Sequence, residues 1–395
     1  MTAPHRTLCT DCGVSQSRDP AACGRACQFI KPDYPRLETA VHGRARGDGD
    51  EVFFGPFQAM YRARMAQPRT GAQWTGITTS LAAVLLENGS VEAVLTVVPD
   101  PDDRWKPQPA LITDPSDLAR ARGMRMGYAP LLKLLDDARD RGLTRLAVIG
   151  IPCQIYALRA LEAELGLTLH VIGTPCSDNT TTENFHRFLA LLDEAPEDIT
   201  YLEFRADYRV ELRYADGRTR FIPFLSLPIS DLPGDFFPLT CRTCVDYTNA
   251  LADITVGYMG GEGDQWIIVR NGRGAEMLAG LGDQIQLRDP GSKGSRAGAV
   301  KGFIANTARA AGGLPLRRMP KWARPIVSWL QPRFGPRGLE FARARVEMKA
   351  AETILHLRRS APAKIKNMVP GHVWKIMKAY GLEPDGDERT DRPQR

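Results

Sequence analysis

Ala147-Val148-Ile149-Gly150-Ile151-Pro152-Cys153 and His170-Val171-Ile172-Gly173-Thr174-Pro175-Cys176 are near-copies of one pattern, a β-rich apolar run that ends in a Pro-Cys corner. Short apolar runs bounded by turn residues read as strands buried on both faces, the kind found in parallel sheets. Outward from this pair, residues 91–98, 254–258 and 266–270 read as strands. Residues 79–87, 129–139, 154–165 and 182–192 read as helices between them. Alternation of strand and helix predicts an α/β fold with a mostly parallel sheet core. Both Pro-Cys corners then emerge at the carboxyl edge of the sheet, where α/β folds build their sites. Residues 199–224 break the rhythm with two strand-like runs joined by Asp216-Gly217, which predicts an antiparallel hairpin insertion.

The chain has 395 residues, 43% apolar, 25% charged and 8% aromatic, a globular composition with enough length for a sizeable core. Three units are expected: a small cysteine-rich segment over 1–45, an α/β core over 46–288 and a basic, partly helical region over 289–395. No run of 18 apolar residues occurs, and residues 1–10 lack the apolar stretch of a signal peptide, so a cytoplasmic location is expected. The net charge of +6 is uneven: residues 301–395 hold 20 Lys and Arg against 8 Asp and Glu, and residues 1–300 hold 32 against 38. Residues 341–357 and 373–382 read as basic amphipathic helices, which suit either an acidic partner or peripheral contact with an anionic membrane. An acidic body without a groove-reading motif argues against nucleic acid.

Cys9-x2-Cys12-x10-Cys23-x3-Cys27 places four thiols within 19 residues. A cytosolic chain keeps thiols reduced, so metal ligation is the expected use, and zinc or an iron–sulfur cluster can each take four sulfurs. Cys153, Cys176 and the Cys241-x2-Cys244 pair supply a second possible quartet. Cys153 and Cys176 each precede an expected helix, whose N-terminal dipole favours a thiolate.

Gly150-Ile151-Pro152-Cys153-Gln154 followed by Ala157-Leu158-Arg159 resembles the signature of the deazaflavin-dependent hydrogenase/dehydrogenase β-subunit family, with Ile151 where the family has Thr. Cys241-Arg242-Thr243-Cys244-Val245-Asp246, Ala252-Asp253-Ile254-Thr255-Val256-Gly257, Trp74-Thr75-Gly76-Ile77-Thr78-Thr79 and Gly123–Pro130 are similar to further family motifs, in the family's order. Cys9–Cys27 with Gln28-Phe29-Ile30, and Gly173–Thr182, are similar to the family's photosynthetic branch. That resemblance implies FAD, two 4Fe–4S clusters, reduced ferredoxin as donor and a chlorophyll-precursor tetrapyrrole as substrate. It implies Cys9, Cys12, Cys23 and Cys27 on one cluster and Cys153, Cys176, Cys241 and Cys244 on the other. The implied reaction reduces the C8 vinyl group of a divinyl (proto)chlorophyllide to ethyl. Reduction of a 7-hydroxymethyl chlorophyll, or a non-catalytic electron-transfer subunit, is the alternative.

No GxGxxG with a following acidic residue supports a nicotinamide site. Gly76, Thr78 and Thr79 open an expected helix and offer N–H groups and hydroxyls to a flavin phosphate, or else one threonine simply caps the helix. Arg125 and Tyr128 are further cofactor candidates. Vinyl reduction needs a proton donor as well as electrons. His186 and Asp178, just beyond Cys176, are the candidates, with a helix N-cap as the structural alternative for Asp178.

Overall fold

The computed structural model describes residues 9–30, 32–205, 207–258, 264–314 and 320–388. Its strands longer than two residues are β1 (Ala59–Met65), β2 (Ala93–Pro99), β3 (Pro107–Ile112), β4 (Arg145–Gly150), β5 (Thr168–Gly173), β6 (Ile199–Phe204), β7 (Arg209–Tyr214), β8 (Thr219–Pro223), β9 (Ile254–Tyr258), β10 (Gln265–Val269) and β11 (Ile285–Arg288). Eight of them form one sheet in the order β11-β1-β10-β9-β5-β4-β2-β3. The centre is parallel, β9-β5-β4-β2, and β4 pairs with β5 in register from Arg145↔Thr168 to Gly150↔Gly173. The margins are antiparallel, yet β1 runs with the four central strands, so five strands of the eight share a direction.

Both faces of the centre are buried, which is why its strands read as unbroken apolar runs. Ala93, Leu95, Leu146, Val148, Leu169 and Val171 face one core with the helix Pro152–Leu165. Val94, Ala147, Ile172, Ile254 and Val256 face the other with the helix Ile77–Glu87. The marginal strands β1, β3 and β11 carry weaker signals. Arg62 and Arg64 interrupt β1, and Pro107 and Pro109 lie in β3, the edge position where proline costs no ladder bond.

A buried ion pair ties the quoted motifs together. Arg159 donates through Nη2 to Asp253 Oδ1 at 2.9 Å and through Nε to the Leu251 carbonyl at 3.0 Å. Asp253 Oδ2 accepts from the Val171 N–H at 2.7 Å. One carboxylate thus fixes helix Pro152–Leu165 to β5 and to the entrance of β9.

The insertion is a separate three-stranded antiparallel sheet, β6-β7-β8, rather than a two-stranded hairpin. Asp216-Gly217 makes the β7–β8 turn, with Gly217 at φ 85°. The stretch read as one first run breaks into β6 and β7 at a turn where Tyr208 takes φ 61° and nothing glycine-like announces it. This lobe shares a core with the helix Thr182–Leu192.

Beyond residue 289, the helices Ala297–Ala310, Ala323–Phe334, Leu339–Ser360 and Gly371–Met377 follow. The first lies where the sequence reading places no helix. Leu339–Ser360 buries Ala342, Ala350, Ala351, Ile354 and Leu357 with Phe54 and Trp266. Residues 315–319 and 389–395 of the expected C-terminal region lie outside the described residues.

Candidate functional site

Cys9 and Cys12 belong to a tight turn, closed by Gly13, in which Asp11 takes φ 47° and Gly13 φ 105°. A Cβ on Gly13 would lie 2.7 Å from the Pro130 carbonyl and the Lys133 nitrogen, so the turn is pressed onto the loop before helix Leu134–Asp140. Leu132 N donates to Cys12 O at 2.9 Å across the same contact. Cys23 lies in the short helix Ala22–Ala26, and Cys27 caps it. Burial pushes the Cys12 thiol up to about 12, and charge on Cys27, Cys23 and Cys9 adds to the rise. Cys27 is raised by burial and then by Cys23 and Cys9. The four sulfurs therefore lie within electrostatic reach of one another.

The second group gathers at the corners of β4 and β5. Cys153 occupies the first turn of helix Pro152–Leu165. Gln154 locks that corner: its Oε1 accepts from Ile151 N at 3.2 Å and its Nε2 donates to Ala129 O at 3.1 Å. Cys176 follows β5 but opens no helix. The next helix begins at Thr182, with Thr181 as its N-cap, which corrects both the expected dipole at Cys176 and the capping alternative for Asp178. The Cys176 N–H instead donates to Tyr247 O at 3.0 Å. Gly173 and Gly257 keep the edge closed: a Cβ at Gly173 would meet Asn249 Cγ at 2.7 Å, and one at Gly257 would meet Pro175 Cγ at 2.4 Å. Cys241 and Cys244 belong to the turn around Leu239–Arg242.

Burial raises Cys153 far above the usual thiol range, with Cys241 and Cys244 adding to it. Cys176 is raised in the same way by burial, then Cys241 and Cys153. Burial takes Cys241 to about 12, with Asp178 the next cause, and Cys244 to about 11 against the opposing charge of Lys349. All eight cysteines are free thiols. Two sets of four sulfurs, half-buried except for the buried Cys241, are donor sets that fit 4Fe–4S clusters in chemistry and number. Among the described residues, no three Cys, His, Asp or Glu groups are spaced to hold a single metal ion.

The two sets adjoin. Thr10 Oγ1 donates to Cys153 Sγ at 3.7 Å, so the loop of the first set touches a sulfur of the second. Tyr128 lies between them: burial raises its phenol, and charges on Cys241, Cys9 and Cys153 raise it further. Gln28 Nε2 donates to Cys244 Sγ at 3.6 Å while its Oε1 accepts from Tyr34 Oη at 2.9 Å.

Helix Leu339–Ser360 forms one wall of the second set. Lys349, 3% exposed at its side chain, donates to Asp178 Oδ1 at 2.7 Å and Glu352 Oε2 at 2.9 Å. Thr353 Oγ1 donates to Cys244 O at 2.9 Å, and Arg345 donates to Ser177 Oγ. Burial and Glu352 push Asp178 up against the pull of Lys349. The basic character read in 341–357 is therefore partly interior. His186 is elsewhere, on an exposed helix face, paired through Nε2 with Asp103 Oδ2 at 2.8 Å.

The flavin candidates separate. Gly76 takes φ 86° and is itself the N-cap of helix Ile77–Glu87, so neither Thr78 nor Thr79 caps it. Thr79 lines a cleft of about 320 Å3 with Arg69, Ser116 and Arg122. Arg122 Nε is buried there without a partner, and its Nη1 donates to Thr70 O at 3.0 Å. The cleft runs along that helix to Glu87, so its walls carry two guanidinium groups and one carboxylate. The guanidinium groups and the Thr79 end suit an anionic group such as the phosphate end of FAD. Arg125 does not share this cleft; its guanidinium donates to the carbonyls of Arg120, Ala121, Arg122 and Gly123. Sequence reading missed Arg122 and Lys349, and it had Gln28 only as part of a family motif. Of the two missed residues, only Lys349 had a signal, its place beside Ala350-Ala351.

The family model described as Coenzyme F420 hydrogenase/dehydrogenase, beta subunit N-term, matches residues 60–136, and the corresponding C-terminus model matches residues 143–292. The chain is 37% identical to an uncharacterized Nostoc protein over 96% of its own length and 95% of that protein. It is 36% identical to the chloroplastic 7-hydroxymethyl chlorophyll a reductase of Oryza sativa over 95% of its length and 83% of that protein. One component of the F(420)H(2) dehydrogenase of Methanosarcina mazei is 26% identical over 57% of the chain and 63% of that component. A chain in the structure of the F420-reducing [NiFe] hydrogenase complex from Methanosarcina barkeri shares the fold, with a TM-score of 0.54 at 21% identity, over 60% of this chain and 84% of that one. The named relatives are reductases and components of dehydrogenases and hydrogenases, which makes this chain an oxidoreductase. Its motifs, its sheet and its full-length likeness to the rice reductase agree: the chain belongs to the coenzyme F420 hydrogenase/dehydrogenase beta-subunit family.

Proposed function

We propose that this chain is a ferredoxin-dependent iron–sulfur flavoprotein that reduces the C8 vinyl group of a divinyl (proto)chlorophyllide to ethyl. The observation that carries the reading is the meeting of two cysteine sets, Thr10 against Cys153, in a chain similar over nearly its whole length to a chlorophyll reductase. Cys9, Cys12, Cys23 and Cys27 would hold one cluster, and Cys153, Cys176, Cys241 and Cys244 the other. Arg69, Thr79 and Arg122 would take the phosphate end of FAD. Bound clusters and flavin convert the single electrons of ferredoxin into the two that the vinyl group requires. The chain's part is to exclude water, hold the charges and supply a proton. Asp178, beside the second cysteine set, is the better placed of the two expected donors, since His186 faces solvent.

A second reading, reduction of a 7-hydroxymethyl to a methyl group, is favoured by the name of the rice relative. Anaerobic incubation of purified protein with reduced ferredoxin and each pigment separates the two by product mass. Vinyl reduction adds two hydrogens, whereas hydroxymethyl reduction removes one oxygen. Iron, sulfide and flavin are measured on the same sample. Folded, anaerobically prepared protein with neither iron nor flavin would overturn both readings.

A further inference from the structure

The helix Ala323–Phe334 presents the wrong face to solvent. Surface helices of soluble proteins turn charge outward and apolar residues inward. Here the exposed positions recur in pairs four residues apart, and they are largely apolar. Trp322, just before the helix, is 75% exposed, Ile326 54%, Trp329 59% and Phe334 70%, with Leu330 beside them. Arg324, Val327, Ser328 and Gln331 occupy the inward side. The helix buries none of its residues fully, and it rests on the lobe at the turn Phe224–Ser226.

The charge of the flanking sequence has one sign. Residues 290–339 hold ten Lys or Arg and no Asp or Glu. Lys321 and Arg333 share the exposed face, and Arg333 stacks over the Trp329 ring at 4.1 Å. Two tryptophans and a phenylalanine in one stripe, edged by cations, is the composition that settles at the headgroup level of a bilayer. A second copy of the chain is a poorer occupant, because a two-fold contact would set this cationic surface against itself. No helix among the described residues is long and apolar enough to cross a membrane.

We propose that Trp322, Ile326, Trp329, Leu330 and Phe334 form a peripheral docking face for an anionic lipid bilayer, held by apolar insertion and by the surrounding Lys and Arg. The face moves from residues 341–357, which the fold buries, to the preceding helix. The inference stands independently of the proposed reaction.

Flotation of the full chain with phosphatidylcholine vesicles, with and without phosphatidylglycerol, tests it. Binding is expected to the anionic vesicles, with a blue shift of tryptophan emission, and to weaken as salt is raised. The triple variant Trp322→Ser, Trp329→Ser, Phe334→Ser is expected to bind roughly a thousandfold more weakly, at about tenfold for each aromatic removed. Its circular dichroism should match wild type, since all three side chains are exposed. Equal flotation of variant and wild type overturns the proposal, as does absence of wild-type binding. A wild-type oligomer that the variant dissolves, without any vesicle binding, assigns the face to a second copy. A changed saturation by ferredoxin, again without vesicle binding, assigns it to the acidic partner.

Discussion

Asp253 shows how much one side chain settles. Burial alone would raise its carboxyl, but Arg159 and Arg273, with donors from Asn271 and the Val171 N–H, bring it below the usual carboxylate range. A depressed carboxylate contributes stability that is present above the unfolded-state value of about 3.9 and is lost as pH falls through the folded value. Thermal melts of the wild type should therefore drop below about pH 4. Asp253→Asn removes one of the three partners of buried Arg159, leaving Glu162 and the Leu251 carbonyl, and is expected to cost about 1.5–3 kcal/mol at neutral pH. The gap between variant and wild type should narrow in acid. A constant gap across pH 2–7 would show that the pair does not hold the sheet to its helix.

Single elements were legible in proportion to their burial. The central strands and the helix Pro152–Leu165 were readable because both faces of the sheet are covered, so hydrophobic pattern and position agree. The lobe was misjudged by one strand, because the turn at Tyr208 is imposed by packing rather than by a glycine. Helix Leu339–Ser360 was readable as a basic amphipathic helix, but its placement was not, since Arg345 and Lys349 look like solvated charge in sequence. Lys349→Met should test that placement. Removing the cation strands Asp178 and Glu352 together in the interior, and a loss of about 3–5 kcal/mol in unfolding free energy is expected. Adding Asp178→Asn should restore part of it. An exposed lysine would give a change within about 0.5 kcal/mol.

At the scale of the whole molecule, the proposed function requires the cysteines to act as two sets, each holding its own cluster. Cys23→Ser and Cys241→Ser are each expected to cut bound iron by about half, from roughly eight to roughly four per chain. The double variant should bind close to none. Iron and sulfide analysis with EPR of the reduced protein reads this directly. Loss of all iron in either single variant would show that the sets form one cooperative unit, an outcome the contact of Thr10 with Cys153 makes worth measuring.

Local chemistry alone determined the α/β core, the Pro-Cys corners and the eight thiols, because buried strands and thiol spacing leave marks within a few residues. Folding alone decided that the second set draws on three distant loops, that Gln154 and Asn249 lock the corner, and that a helix some 170 residues further on closes the wall beside Asp178. Those contacts depend on how far apart in the chain two surfaces can be and still pack. The outward apolar stripe of Ala323–Phe334 belongs to the same class: its residues are plain in the sequence, and only packing shows which side faces water.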